Sequence, residues 1–355
     1  MLLVATGIAL VLHFINSRLA PAMESAPPKL SKTGFEYRFT PPPPKISTKN
    51  NAAEDAAEAD PFARFKIPSD KAEAWLAKHH RDAASLLAVF RAQGDTNYLN
   101  EAATNFPNDP RVQLAVLARD AFPAERQKWL AAFERSSPNN SLANYLSAQN
   151  YFKAGKTDEA VKELLAASAK PQFDNFFIQN QLDGEELYQD SGKSTRESVE
   201  LGLGSVAGEL IPQLDTIKQL ALGIGDLMNE KTSTGDASSA ANLAQMGLTV
   251  AERFQSGDGG KLLVNQLVEL AIKNAMLAHL DQNTAYDFLD GQTPAQAMAA
   301  NKAQKQEMVQ LISISKAARP QMTDAEMAGY TQRMKIFGEL EAMKWAAQLH
   351  PPASP

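Results

Sequence analysis

Hydrophobic and polar positions alternate at helical spacing from about residue 70 to the C-terminus. No period-two run that would predict a strand appears after Ser69, and strands do not alternate with helices, which argues against a parallel nucleotide-binding sheet. The predicted helices begin at recognisable capping signals, which are Ser69-Asp70, Thr293-Pro294, and Thr323 with Glu326. The helix from Thr323 is expected to continue to about Leu349. The pattern therefore predicts an all-α fold.

Two strongly apolar helical stretches, roughly 237–255 and 261–281, are separated by a polar, glycine-rich loop. A short polar loop between such helices predicts an antiparallel hairpin. Upstream, Gly204 and Gly208 form a small-residue pair that indicates close helix packing, and Pro212 is expected to kink or end that helix. We therefore expect residues 172–350 to form an all-helical domain.

Prolines at positions 107, 138 and 171 recur at spacings of 31 and 33 residues. A period near 34 is typical of helix-turn-helix repeats. The last unit, 141–171, is the best defined: a helix carrying Ala148 and Tyr151 leads to a turn at Gly155. The second helix then places small and apolar side chains on one face, at Ala160, Leu164 and Ala167.

This unit resembles a tetratricopeptide repeat in its small and aromatic residues, its turn glycine and its closing proline. It differs at Asn144, where a tryptophan or another large residue is usual, and at Ser147, where leucine is usual. Two weaker units precede it, so the resemblance covers about 70–171. It implies a superhelix of stacked hairpins whose concave face binds peptides or partner helices. Candidate binding residues on that face are Asn144, Tyr151 and Lys153.

The N-terminus carries an apolar run from Leu2 to Ile15. Its roughly 21 Å of helix is shorter than the ~30 Å hydrocarbon core, so residues 1–22 are either a signal peptide or, with the following residues, a single membrane anchor. A buried core helix is the third interpretation. Nine of the 20 prolines lie between Pro21 and Pro68, which predicts that 23–69 is a disordered, proline-rich linker.

Composition narrows the classes of function. The 355-residue chain has no cysteine, which excludes disulfides, a thiol nucleophile and Cys-ligated zinc, and its net charge of −6 argues against nucleic-acid binding. Gly192-Lys193-Ser194-Thr195 lacks the glycine and the preceding strand of a phosphate-binding loop, so Ser194 is expected to cap a helix instead. We find no catalytic motif, no metal-ligand spacing and no cofactor signature, although distant residues can converge in a fold.

The sequence therefore favours a membrane-tethered or exported helical-repeat scaffold that binds a protein partner. Its expected location is the cell envelope, on the periplasmic side of a bacterial inner membrane or beyond it. Two alternatives remain: a helical enzyme of unfamiliar type, and a carrier of an apolar ligand in the C-terminal half, where the 261–281 helix is apolar over a wide arc.

Overall fold

The structure is a computed structural model that describes residues 65–256 and 260–351, apart from the side chains of 207–212. The predicted signal or anchor at 1–22, and nearly all of the predicted linker at 23–69, lie outside these ranges. The described residues form helices and contain no strand, which confirms the all-α prediction. In chain order the α-helices are α1 Ser69–Lys78, α2 Ala83–Gln93, α3 Thr96–Asn105, α4 Pro110–Arg119, α5 Arg126–Ser136, α6 Leu142–Lys153, α7 Thr157–Ser168, α8 Phe177–Asp190, α9 Thr195–Ser233, α10 Ala237–Arg253, α11 Leu263–Leu277, α12 Pro294–Ala318, α13 Asp324–Phe337 and α14 Glu339–Leu349.

Three helical hairpins follow one another between residues 83 and 168, and we call this part the hairpin module. They are α2 with α3, α4 with α5, and α6 with α7, and each second helix also packs on the next first helix. Pro107, Pro138 and Pro171 each follow the second helix of a hairpin by two or three residues. The proline spacing in the sequence thus corresponds to the observed hairpins.

The third hairpin has the interior that the sequence predicts. Ala148 of α6 and Ala160 and Ala167 of α7 are fully buried, and Leu164 is only 2 % exposed. Small side chains at these positions let the two helices approach closely. Gly155 makes the turn with φ of +69°, a backbone conformation that favours glycine.

The long helix α9 organises the rest of the fold. It has 39 residues and begins at a capping box formed by Ser194 and Glu197, as expected for Ser194. The helix does not end at Pro212, as one of the two expectations had it; it continues through that position to Ser233. Its buried stripe has helical spacing, and all four members are fully excluded from solvent: Ile217, Leu220, Ile224 and Met228.

The helices α8 and α9 cover one side of the hairpin module, which we call the inner face. The first helix of each hairpin meets them: α2 packs on α8, and α4 and α6 pack on α9. Arg111 of α4 also binds Asp183 of α8, with 3.1 Å between guanidinium nitrogen and carboxylate oxygen. A Cβ added to Gly223 of α9 would lie 3.3 Å from the ring of Phe152 on α6. The inner face is therefore part of the core.

The remaining helices confirm two predicted caps and correct two details. Thr293 and Thr323 each accept a hydrogen bond from the backbone N–H three residues later, in complete capping boxes. The predicted helix to Leu349 is instead two helices, because Gly338 between α13 and α14 has φ of +95°. The first helix also begins differently, since Pro68 occupies its N-cap and no side chain caps it.

Candidate functional site

A stripe of polar residues runs along α6, whose residues from Leu142 to Gln149 are all buried. Its members are Asn144, Ser147, Asn150 and Tyr151, whose spacing of three, six and seven residues places them on one face. Phe152 lies on another face and contacts α9. We call these four residues the α6 polar stripe.

Every member of the α6 polar stripe is hydrogen-bonded to a side chain of a neighbouring helix. From α5, Glu134 accepts a bond of 2.9 Å from the Ser147 hydroxyl. Also from α5, the Gln127 amide accepts from Asn150 at 3.1 Å and donates to the Tyr151 hydroxyl at 3.0 Å. From α7, Glu163 accepts a bond of 2.7 Å from the amide nitrogen of Asn144. The stripe is therefore bordered by two helices that supply carboxylates and an amide.

The stripe passes from the interior to the surface along α6. Asn144 and Ser147 are 3 % and 2 % exposed, whereas Asn150 and Tyr151 are half-buried and Gln127 is exposed. The structure thus brings two of the predicted binding residues, Asn144 and Tyr151, onto one face. It does not bring Lys153 there: this exposed residue lies two positions beyond Tyr151, about 200° around the helix.

Sequence reasoning missed the residues that flank the stripe. Glu134, Glu163 and Gln127 come from other helices, and no sequence spacing relates them to α6. The sequence nevertheless indicated a special role for Asn144 and Ser147, because both are polar where the repeat that the unit resembles usually has large apolar residues. Polar side chains at interior positions require hydrogen-bond partners, and these two find carboxylates.

The two carboxylates beside the stripe are close enough to influence each other. Burial raises the pKa of Glu163, the hydrogen bond from Asn144 lowers it, the charge of Glu134 raises it and Lys170 lowers it. Within the described part of the chain, neither Glu134 nor Glu163 forms an ion pair. The carbonyl oxygen of Asn144, Oδ1, is buried there without a hydrogen-bond donor. The deep end of the stripe is thus rich in acceptors.

A second polar cluster joins four helices of the C-terminal half. Arg319, after α12, donates to the Tyr330 hydroxyl of α13 at 2.5 Å, and Glu339 of α14 accepts the backbone N–H of Leu263 at the start of α11. Burial raises the pKa of Glu339, and the nearby charge of Arg319 lowers it. Because every named contact ties one helix to another, this cluster stabilises the arrangement of α11 to α14.

Glu185 joins α8 to a distant part of the chain. It lies inside α8, next to Glu186. The Glu185 carboxylate is buried, accepts from Gln181 at 2.8 Å and binds the Lys335 ammonium of α13 at 2.7 Å. It therefore links α8 to the C-terminal helices.

The described residues offer little for catalysis or metal binding. They contain no group of three or more His, Asp or Glu side chains that could hold a metal ion. His279 and Asn229 form a pair with 3.0 Å between Nδ1 and Oδ1 beside Asp226. Burial lowers the pKa of His279 and raises that of Asp226, so both shifts favour the uncharged forms. The α6 polar stripe is the more extended constellation.

Comparison with known proteins found no similar protein. No protein-family model matches the chain, and neither any curated protein nor any solved structure does. Within 65–256 and 260–351, none of the helices combines the length and apolar character that a membrane crossing requires.

Proposed function

We propose that this chain is a helical-repeat scaffold that binds a protein partner, and that the hairpin module is tetratricopeptide-like. The observation that carries the proposal is the α6 polar stripe, which opens to solvent at Tyr151 and Gln127. A row of hydrogen-bonding side chains on rigid helices suits recognition of a polypeptide, since polar groups at an interface fix register and orientation. The three consecutive hairpins supply the rigid frame.

We expect a partner to bind the α6 polar stripe rather than the inner face. In the tetratricopeptide repeats that the sequence resembles, partners bind along the concave face of the superhelix. Here α8 and α9 occupy the face formed by the first helices of the hairpins. That contact includes Gly223 of α9, where an added Cβ would lie 3.3 Å from the ring of Phe152 on α6. A partner therefore meets the stripe, where α5, α6 and α7 border it.

We further propose that the scaffold works at a membrane or after export. This rests on the sequence alone: the apolar segment at 1–22 and the proline-rich linker at 23–69. A flexible linker of that length would hold the helical body away from the bilayer while keeping it near membrane partners.

No observation favours the alternative of a carrier for an apolar ligand. The apolar residues of α11, such as Leu263 and Leu267, are buried in the core.

Affinity capture from envelope extract tests the proposal. The variant Gln127→Ala/Tyr151→Ala removes the open end of the stripe, and Lys302→Ala/Gln306→Ala on the exposed face of α12 is the matched control. Quantitative mass spectrometry is expected to show at least one protein that the unmodified chain and the control retain and the stripe variant loses. Identical recovery by all three folded proteins would contradict the proposal.

A further inference from the structure

The deep end of the α6 polar stripe contains two carboxylates and one buried acceptor that lacks a donor. One oxygen each of Glu134 and Glu163 accepts a hydrogen bond, from Ser147 and from Asn144 respectively. Oδ1 of Asn144 is buried within the described ranges without a hydrogen-bond donor. Asn144 is 3 % exposed, and a polar atom left without a hydrogen-bond partner at that depth is unfavourable.

The orientation of the Asn144 amide follows from its surroundings. Its nitrogen faces the Glu163 carboxylate at 2.7 Å. With the amide turned the other way, the carbonyl oxygen would face that carboxylate, acceptor against acceptor. The orphaned oxygen is therefore a consequence of the carboxylate beside it.

The deep end of the stripe also carries negative charge that no ion pair neutralises within the described ranges. Glu134 and Glu163 come from α5 and α7, on either side of α6, and their negative charges repel each other. Lys170 influences Glu163 electrostatically but forms no ion pair with it among the described residues. A cationic donor would be favourable beside two half-buried carboxylates and a buried acceptor without a donor.

We propose that Glu134 and Glu163, which we call the carboxylate pair, bind a basic side chain of the partner protein, arginine above all. The guanidinium carries five N–H donors in a planar fork and accepts nothing, so it complements the two carboxylates. A metal ion fits less well, since Ca²⁺ takes six to eight oxygens and this position offers two carboxylates and one amide. This inference rests on the proposed function and specifies the chemistry of the partner.

A pair of peptides separates recognition of the guanidinium from general attraction to an acidic protein. The probes are fluorescein-labelled peptides of Gly and Ser, one with four arginines and one with citrulline, the neutral isostere, at the same positions. Their binding is measured by fluorescence anisotropy. The proteins are the unmodified chain, Glu134→Gln/Glu163→Gln, and Glu125→Gln/Glu159→Gln, which removes the same charge from exposed carboxylates of the same hairpins.

We expect Kd for the arginine peptide to rise at least tenfold in Glu134→Gln/Glu163→Gln and less than twofold in the control. The citrulline peptide is expected to bind the unmodified chain at least tenfold more weakly. Equal weakening in both variants, equal binding of both peptides, or no binding by the unmodified chain would overturn the inference. Glutamine keeps the acceptor for Asn144 and Ser147, and the single variant Glu134→Gln, expected to weaken binding at least threefold, repeats the test if the double variant unfolds.

The capture experiment keeps the two proposals distinguishable. A partner that is lost with Gln127→Ala/Tyr151→Ala but retained by Glu134→Gln/Glu163→Gln would leave the scaffold function standing and refute the basic anchor. Loss of the same partner in both variants supports both proposals.

Discussion

Asn144 and Ser147 place polar atoms among the buried residues of α6. Each side chain reaches a carboxylate on a different neighbouring helix, at 2.7 and 2.9 Å. A hydrogen bond to a charged group contributes about 1.5–3 kcal/mol, so both residues hold their helices together. Glu134 and Glu163 are also close enough for their charges to repel. The two hydrogen bonds therefore stabilise the fold at this point of the molecule, and the repulsion between the carboxylates destabilises it.

The substitution Glu163→Gln tests that opposition. Because the pKa of Glu163 is raised in the folded protein, its ionisation destabilises the fold at pH 7, and this penalty disappears as the pH falls below the ordinary glutamate pKa of about 4.3. We expect the variant to melt about 1–2 °C higher than the unmodified chain at pH 7 and at the same temperature near pH 3.5.

Thermal unfolding followed by circular dichroism at the two pH values measures the difference. Glu159→Gln, an exposed residue of the same helix, is the control, and it should show no gain at pH 7. A melting temperature that falls at pH 7 in Glu163→Gln would mean that the carboxylate stabilises the fold as an anion.

At the scale of elements, the helix starts at Ser194, Thr293 and Thr323 were predictable. The start of α1 and the long-range helix contacts were not. The capping boxes at Thr293 and Thr323 are local, because each bond joins residues three positions apart. The break at Gly338 was missed because the helical pattern continues on both sides of it. The ion pair of Glu185 was not predicted either, because its partner Lys335 lies 150 residues away and no local signal indicates that contact.

Close contact between α8 and α9 depends on Gly202. A Cβ at this position would lie 2.9 Å from the backbone nitrogen of Glu185 and 3.0 Å from the carbonyl oxygen of Gln181, and backbone atoms cannot move aside cheaply. We expect Gly202→Ala to destabilise the protein by about 2 kcal/mol despite alanine's higher helix propensity.

Urea unfolding measures this effect, with Leu222→Ala as the control on an exposed position of the same helix. The control should change the free energy of unfolding by less than about 1 kcal/mol. An unchanged or higher stability of Gly202→Ala would show that α8 and α9 can separate without loss.

At the scale of the molecule, the hairpin module and the C-terminal helices share one core. The sequence predicted hairpins from the spacing of three prolines, and it suggested a division between 70–171 and 172–350. It could not show that α8 and α9 cover the inner face, because the buried stripe of α9 and the first helices of the hairpins are each ordinary apolar patterns. Which apolar faces meet is decided by the tertiary arrangement.

This shared core predicts how the molecule unfolds. A fragment of residues 65–174 would lack α8 and α9 and would expose the inner face of the hairpin module to water. We expect it to show no cooperative thermal transition, whereas residues 65–351 unfold in one. Calorimetry of the two proteins provides the measurement. A monomeric fragment with its own sharp transition would instead support two independently folding domains.

Site-specific photo-crosslinking tests the central claim most directly. A benzoylphenylalanine replaces Tyr151 at the open end of the α6 polar stripe in one protein and Val309, on the exposed face of α12, in another. Irradiation in intact cells is expected to attach a partner protein at position 151 and none at position 309. A folded protein that forms no adduct at 151, or the same adducts at both positions, would contradict the account.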